Sequence, residues 1–145
     1  MGYGDEPEAR AVYEFMNNVS VDQIGFVDHP VIVMTGASPD GLVGDDGLVE
    51  IKCPNTATHI NTLQGKAIEK KYNLQMQWQM ACCERDWCDF VSFDPRMPAK
   101  LQMHVTRVER DGELIEELTK DIGDFLEELN DRESQLRSLM ERDAA

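Results

Sequence analysis

Three side chains in one short stretch have the types and spacing to do chemistry: Asp40, Glu50 and Lys52. Asp40 stands in Ser38-Pro39-Asp40-Gly41, a turn sequence. A hairpin-type Gly44-Asp45-Asp46-Gly47 follows, and then an apolar run, Leu48 to Cys53, that reads as a strand stopped by Pro54. Residues two apart on a strand share a face, so Glu50 and Lys52 point one way and Val49 and Ile51 the other. Two acids and an ammonium gathered there make a compact site for a hard divalent cation and the phosphate it polarises. Acids in turns and a Glu-x-Lys on a strand are also common on plain solvated surfaces. Two features weigh against that reading. Leu48, Val49, Ile51 and Cys53 make the strand's surroundings apolar, and a buried charge needs a partner or a metal. The Ser-Pro-Asp-Gly turn also defines how Asp40 is presented.

The elements that must position these residues can be read in chain order. Asp5 can cap a helix, Pro7 suits its first turn, and Ala9, Val12, Tyr13, Phe15 and Met16 keep helical spacing up to Asn17-Asn18. Met1 to Gly4 carry no helix or strand signal. Val21 to Val27 and Val31 to Thr35 read as two strands split by Asp28-His29-Pro30. Asn55 to Asn61 offers Thr56 or Thr58 as caps for the longest helical pattern, Ile60 to Cys83, with a break near Gly65. In it Tyr72, Gln75, Met76 and Gln79 share one face, and Leu74, Trp78, Ala81 and Cys82 share the face expected to enter the core. Trp87 to Phe93 and Leu101 to Val105 read as strands, and Asp111-Gly112 opens a helix to about Asp143. This order predicts an α/β fold, a central mixed β-sheet flanked by helices, not a regular βαβ repeat.

Composition narrows the classes. The chain has 145 residues, 41% hydrophobic and 29% charged, which suits one globular domain. No apolar run approaches a membrane span, and no signal peptide opens the chain. A net charge of −14 argues against a generic nucleic-acid binder, so a polyanion must meet a local basic surface. The acidity concentrates toward the C-terminus: from Glu109 to Ala145 there are 13 acids against 5 bases. Cys53, Cys82, Cys83 and Cys88 read as free thiols of a reducing cytoplasm. Cys82, Cys83, Cys88 and His104 lack the spacing of a zinc site, and His29 and His59 read as loop histidines.

The same residues resemble a known family. Ser38-Pro39-Asp40-Gly41 followed by Leu48-Val49-Glu50-Ile51-Lys52-Cys53-Pro54 is similar to the PD-(D/E)xK nuclease signature, and more narrowly to the phage lambda exonuclease family, also called YqaJ-type viral recombinases. Glu6-Pro7-Glu8-Ala9-Arg10, Tyr72-Asn73-Leu74-Gln75-Met76-Gln77 and Phe93-Asp94-Pro95-Arg96-Met97 resemble three further segments of that family, in the same order. The likeness extends from Glu6 to Asn130. It implies a restriction-endonuclease-like core, with 1–145 read as a single nuclease domain that lacks the segment the family carries before its first helix. That segment holds the family's 5′-phosphate pocket.

The resemblance also implies roles. Asp40, Glu50 and the backbone carbonyl of Ile51 would hold Mg²⁺, with Mn²⁺ as a substitute, and Glu6 would assist. Lys52 would orient or help deprotonate the attacking water, and Gln75 and Tyr72 would line the site. Read without the family, Glu6 is a first-turn acid, Gln75 a solvated helix position and Tyr72 a core edge. Tyr72, Arg96, Lys66 and Lys70 are candidate DNA contacts. The implied activity is 5′-to-3′ exodeoxyribonuclease action on one strand of linear duplex DNA, releasing 5′-mononucleotides in phage-type recombination. Implied partners are duplex DNA ends, a homotrimer and a single-strand annealing protein, in the cytoplasm of a bacterial host. Two alternatives stay open: a structure-specific endonuclease of the same fold, and a non-catalytic module for oligomerisation or annealing-protein binding. The acidic C-terminal helix would serve the latter, or be an amphipathic cover for the sheet.

Overall fold

The computed structural model describes residues 5–144, with side chains for residues 5–142. Its contacts form two compact units, one ending at Arg110 and one beginning at Asp111. In the first, α1 (Glu6–Asn17) precedes three short strands, β1 (Val21–Asp22), β2 (Val27–Asp28) and β3 (Gly36–Ala37). Then come β4 (Gly41–Val43), β5 (Gly47–Lys52), α2 (Thr56–Leu63), α3 (Lys70–Cys83), β6 (Trp87–Phe93) and β7 (Met103–Glu109). The second unit is α4 (Gly112–Ala144).

The main sheet runs β1-β4-β5-β6-β7. Only β5 and β6 are parallel, with Glu50 opposite Phe90 and Lys52 opposite Ser92; the other pairs are antiparallel. A parallel pair needs a long crossover, and α2 and α3 supply it. The β4–β5 hairpin turns at Gly44, whose φ of 57° glycine adopts without steric cost. Alternation along β5 splits the core. Val49 and Ile51 join Ala9 and Tyr13 of α1, with Val43, Val91 and Phe93, while Leu48 joins Met76 and Met80 of α3, with Cys88 and Phe90. The α1 side also encloses a charged cluster. The Tyr13 hydroxyl donates to the buried Asp89 at 2.6 Å, and Arg107 meets both Asp89 oxygens at 2.9 and 3.1 Å while lying 3.6 Å over the Trp87 ring.

Several elements differ from the sequence reading. Val31 to Thr35 is not a strand. His29 Nδ1 accepts the N–H groups of Val31 and Ile32, and Met34 takes a φ of 69°, so the segment turns and leaves Val31, Val33 and Met34 exposed. The Val21–Val27 segment is strand only at its two ends, on either side of Gly25. The long helical pattern divides into α2 and α3, with Gly65 at φ 96° in the connection. Asn55 caps α2, accepting the Thr58 N–H at 2.8 Å, where the sequence offered Thr56 or Thr58. Asp5 occupies the N-cap position of α1 but its side chain caps nothing. His59 belongs to α2 and not to a loop: it is fully buried, with Nδ1 on the Ser92 hydroxyl and Nε2 on the Leu101 carbonyl. The buried residues of α3 are Met76, Gln77, Gln79, Met80, Ala81 and Cys82; Leu74 and Trp78 are only half-buried. The helix touches both the main sheet and the β2–β3 segment, whose His29 stacks on Trp78 at 5.0 Å, so more than one of its faces is covered.

Gly47 gives the fold a direct test. A Cβ there would run into the Trp87 ring, on which Arg107 also lies. We expect Gly47→Ala to destabilise by about 1–3 kcal/mol in urea denaturation, the range for overpacking; an unchanged midpoint would mean that the indole is free to move.

Candidate active site

Each site residue is positioned by a local rule. Asp40 leaves the turn with Oδ2 accepting the Ile51 N–H at 2.7 Å, which ties it to the strand beside Glu50. That bond lies outside the ladder between β4 and β5, so the Asp40 side chain replaces a backbone partner at the hairpin's open end. Glu50 is 5% exposed. One of its oxygens meets Lys52 Nζ at 3.2 Å, and the other accepts the Gln79 side-chain N–H at 3.2 Å. Lys52 is half-buried, its ammonium 4.7 Å from the centre of the Tyr72 ring. That aromatic face holds the cation without neutralising it. Glu6, in the first turn of α1, is near enough for its carboxyl to respond to Asp40, Arg10 and Lys52.

The electrostatics are those of acids crowded together and partly dried. Burial raises the pKa of Asp40; the Ile51 N–H and the nearby Lys52 and Arg10 charges offset part of this. Burial, then the Asp40 charge, raises Glu50, against the pull of Lys52 and Gln79. Burial and the Asp40 charge raise Glu6 as well. Each acid therefore resists ionising more than it would in water, and a cation between them would remove that resistance. Among the described residues no set of three His, Cys, Asp or Glu side chains is gathered closely enough to hold a metal. The donor set that fits is two carboxylates, Asp40 and Glu50, with oxygen from the backbone or water, which suits a hard cation that keeps part of its hydration.

The other expected site residues separate. Gln75 is exposed, and the side chain that reaches Glu50 is Gln79, one helical turn later. The spacing carried that signal, since both lie on the face with Tyr72. Arg96 is exposed but engaged: Nε binds Asp94 at 2.8 Å and Nη2 donates to the Pro54 carbonyl at 3.1 Å, so it straps the end of β6 to the end of β5. Burial opposes ionisation of Asp94, yet hydrogen bonds from Arg96 and Thr56 hold its pKa down at about 2. Lys66 and Lys70 are exposed. Lys66 joins Lys52, Thr58, Thr62, Glu69, Tyr72 and Ser92 around a cleft of about 280 Å³ that Asp40 and Glu50 do not line. Cys53 is half-buried against the α1 cluster, and burial followed by the neighbouring acids raises its thiol to about 11, so it stays protonated.

Residues 1–86 match the YqaJ-like viral recombinase domain. This chain belongs to that family. It is 50% identical to an alkaline exonuclease from Laribacter hongkongensis, with a TM-score of 0.89 over 94% of this chain and 70% of that one. A structure of the same exonuclease in complex with dAMP superposes with a TM-score of 0.86 and 51% identity, over 90% of this chain and 67% of that one. A phage-related exonuclease from Haemophilus somnus 129PT shares the fold at 19% identity, with a TM-score of 0.68 over 84% of this chain and 66% of that one. The uncharacterized protein R354 of Acanthamoeba polyphaga mimivirus is 34% identical over 92 residues, which is 54% of this chain and only 17% of that protein. The mixed five-stranded sheet with helices against it is the alkaline exonuclease fold, restriction-endonuclease-like as the family resemblance implied.

The raised acids have a consequence for stability. Folded Glu50 holds its proton more tightly than an unfolded glutamate does, so its contribution is present below the ordinary carboxylate range and is lost as the pH rises through the folded value. In chelator, we expect Glu50→Gln to gain stability relative to the unaltered protein as the pH rises above the ordinary carboxylate range, measured by urea denaturation. A difference that stays flat or reverses would contradict the crowding of the acids.

Proposed function

We propose that this chain is a magnesium-dependent exodeoxyribonuclease domain that trims one strand of linear duplex DNA from its 5′ end and releases 5′-mononucleotides. The observation that carries the reading is the meeting of Asp40, Glu50 and Lys52 at the end of β5, tied together by the Ile51 N–H and the Glu50–Lys52 pair. Family membership and half-identity to an alkaline exonuclease support it.

In this reading Asp40, Glu50 and the Ile51 carbonyl would hold Mg²⁺, and Mn²⁺ would serve in its place. When bound, the ion would polarise the phosphate and lower the pKa of a water. The chain's own residues do the rest. Lys52, 3.2 Å from Glu50 and anchored over Tyr72, has two ammonium protons left to orient the attacking water and to meet charge growing on the phosphate. Glu6 adds a carboxylate from the α1 side. The cleft beside Lys52 and Tyr72 offers hydroxyls and the Lys52 and Lys66 ammonium groups to a sugar-phosphate chain, against one acid, Glu69. Lys70, exposed at the start of α3, is a further candidate contact outside that lining, and Arg96 contributes mainly by strapping β5 to β6.

The biological setting follows the family: recombination at duplex DNA ends in a bacterial cytoplasm, on behalf of a phage or prophage, as a homotrimer working with a single-strand annealing protein. No helix among the described residues is long and apolar enough to cross a membrane.

Digestion of linear duplex DNA with Mg²⁺ tests the assignment. We expect Asp40→Ala and Lys52→Ala each to lower the rate by at least about 10²-fold, the scale of losing one preorganised electrostatic group, and covalently closed circles to survive. Equal rates in all three proteins would end the assignment of roles, and cut circles would replace the exonuclease with an endonuclease.

A further inference from the structure

Gln79 is a buried polar group that the fold does not explain. It is 1% exposed. Its Nε2 donates to Glu50 Oε2 at 3.2 Å, while its Oε1 is enclosed with no hydrogen-bond partner among the described residues. An amide half-paired in a dry place is costly, and a methionine of similar size would avoid the unmet oxygen. Of the other buried residues of α3, Met76, Met80, Ala81 and Cys82 carry no amide, and the one that does, Gln77, donates to the Glu109 carbonyl at 3.0 Å. A residue that breaks the local rule of its helix is expected where a site requires it.

The requirement is visible at Glu50. Lys52 holds one of its oxygens and Gln79 the other. Lys52 is partly exposed, and in the reading above its ammonium is shared between Glu50, the attacking water and the phosphate, so its hold on Glu50 is divided. Gln79 is fixed in the middle of a helix and does not leave. The orientation of the amide also follows from chemistry: only its N–H side can face an ionised carboxylate, so its oxygen must point elsewhere. We propose that Gln79 is the positioning residue for Glu50, holding the carboxylate in the one orientation that binds a divalent cation, with its unpaired oxygen left for a hydrogen-bond donor that arrives when the site fills. The proposal rests on the metal-site reading given above. It replaces Gln75, which the family resemblance singled out, with its neighbour one turn along.

The test is calorimetric titration of the full chain with Mn²⁺ alone, without DNA, beside thermal melts in chelator. Gln79→Met is expected to bind Mn²⁺ about 10- to 100-fold more weakly, the scale for losing a group that orients a metal ligand. Its metal-free Tm is expected to match or exceed that of the unaltered protein, because the unmet oxygen is gone. A purely structural glutamine would show the reverse pattern, a lowered Tm with unchanged affinity, and that result overturns the proposal. If Gln79→Met melts too low to titrate, Gln79→Asn carries the same expectation, since it keeps an amide but loses the reach to Glu50; unaltered affinity there is equally fatal. An unaltered protein that takes up no Mn²⁺ overturns the metal-site reading, and this inference with it. Uptake by the unaltered protein and by the variants alike overturns the role of Gln79 alone.

Discussion

Two carboxylic acids from different elements are held against each other at the end of a strand, where water is scarce and mutual repulsion is strong. Asp40 cannot swing away, because its oxygen is tied to the Ile51 N–H. Glu50 cannot either, because Lys52 and Gln79 hold its two oxygens. Two positive charges, Lys52 and Arg10, stand against three acids, and the Asp40 charge raises both Glu50 and Glu6. Local repulsion of this kind persists in a fold only where surrounding structure over-determines it, and it marks sites built to receive positive charge. The rest of the first unit supplies the over-determination.

Each layer of that unit has a part in it. The hairpin brings Asp40 back beside β5. The parallel pairing of β5 with β6 fixes the height of Glu50 and Lys52, and Arg96 straps the two strand ends together through Asp94 and the Pro54 carbonyl. The buried His59, between Ser92 and the Leu101 carbonyl, anchors α2 to the same end of β6. The crossover through α2 and α3 lays Tyr72 against Lys52 and Gln79 against Glu50. On the far face, Tyr13 and Arg107 saturate Asp89, so the charge buried there is paired and has no part in the acid cluster.

Much of this was legible in the sequence because it is local. A Ser-Pro-Asp-Gly turn, a glycine-flanked hairpin and an apolar strand interrupted by Glu50 and Lys52 bring Asp40, Glu50 and Lys52 together within one short stretch, though the roles assigned to them came from the family resemblance. What was not legible depends on contacts between distant segments. Val31 to Thr35 has the composition of a strand, but the His29 ring captures two of its N–H groups. The helical face of Leu74 and Trp78 has the composition of a core side, yet the β2–β3 segment covers a second side of α3, and the buried Gln77 and Gln79 turn to strands of the main sheet. Gln75, read as solvated without the family, is exposed; spacing put Gln79 on the Tyr72 face, but the partners of Gln77 and Gln79, the Glu109 carbonyl and Glu50, lie on distant strands. His59 misleads for the same reason: its two hydrogen-bond partners lie on β6 and beyond, out of reach of any local pattern.

Diffraction from a crystal soaked in Mn²⁺ bears most directly on the central claim, because anomalous scattering locates the ion without reference to any relative. The account places the strongest peak between the Asp40 and Glu50 carboxylates, beside the Ile51 carbonyl. A strongest peak elsewhere, or none in a crystal shown to contain the metal, would contradict it.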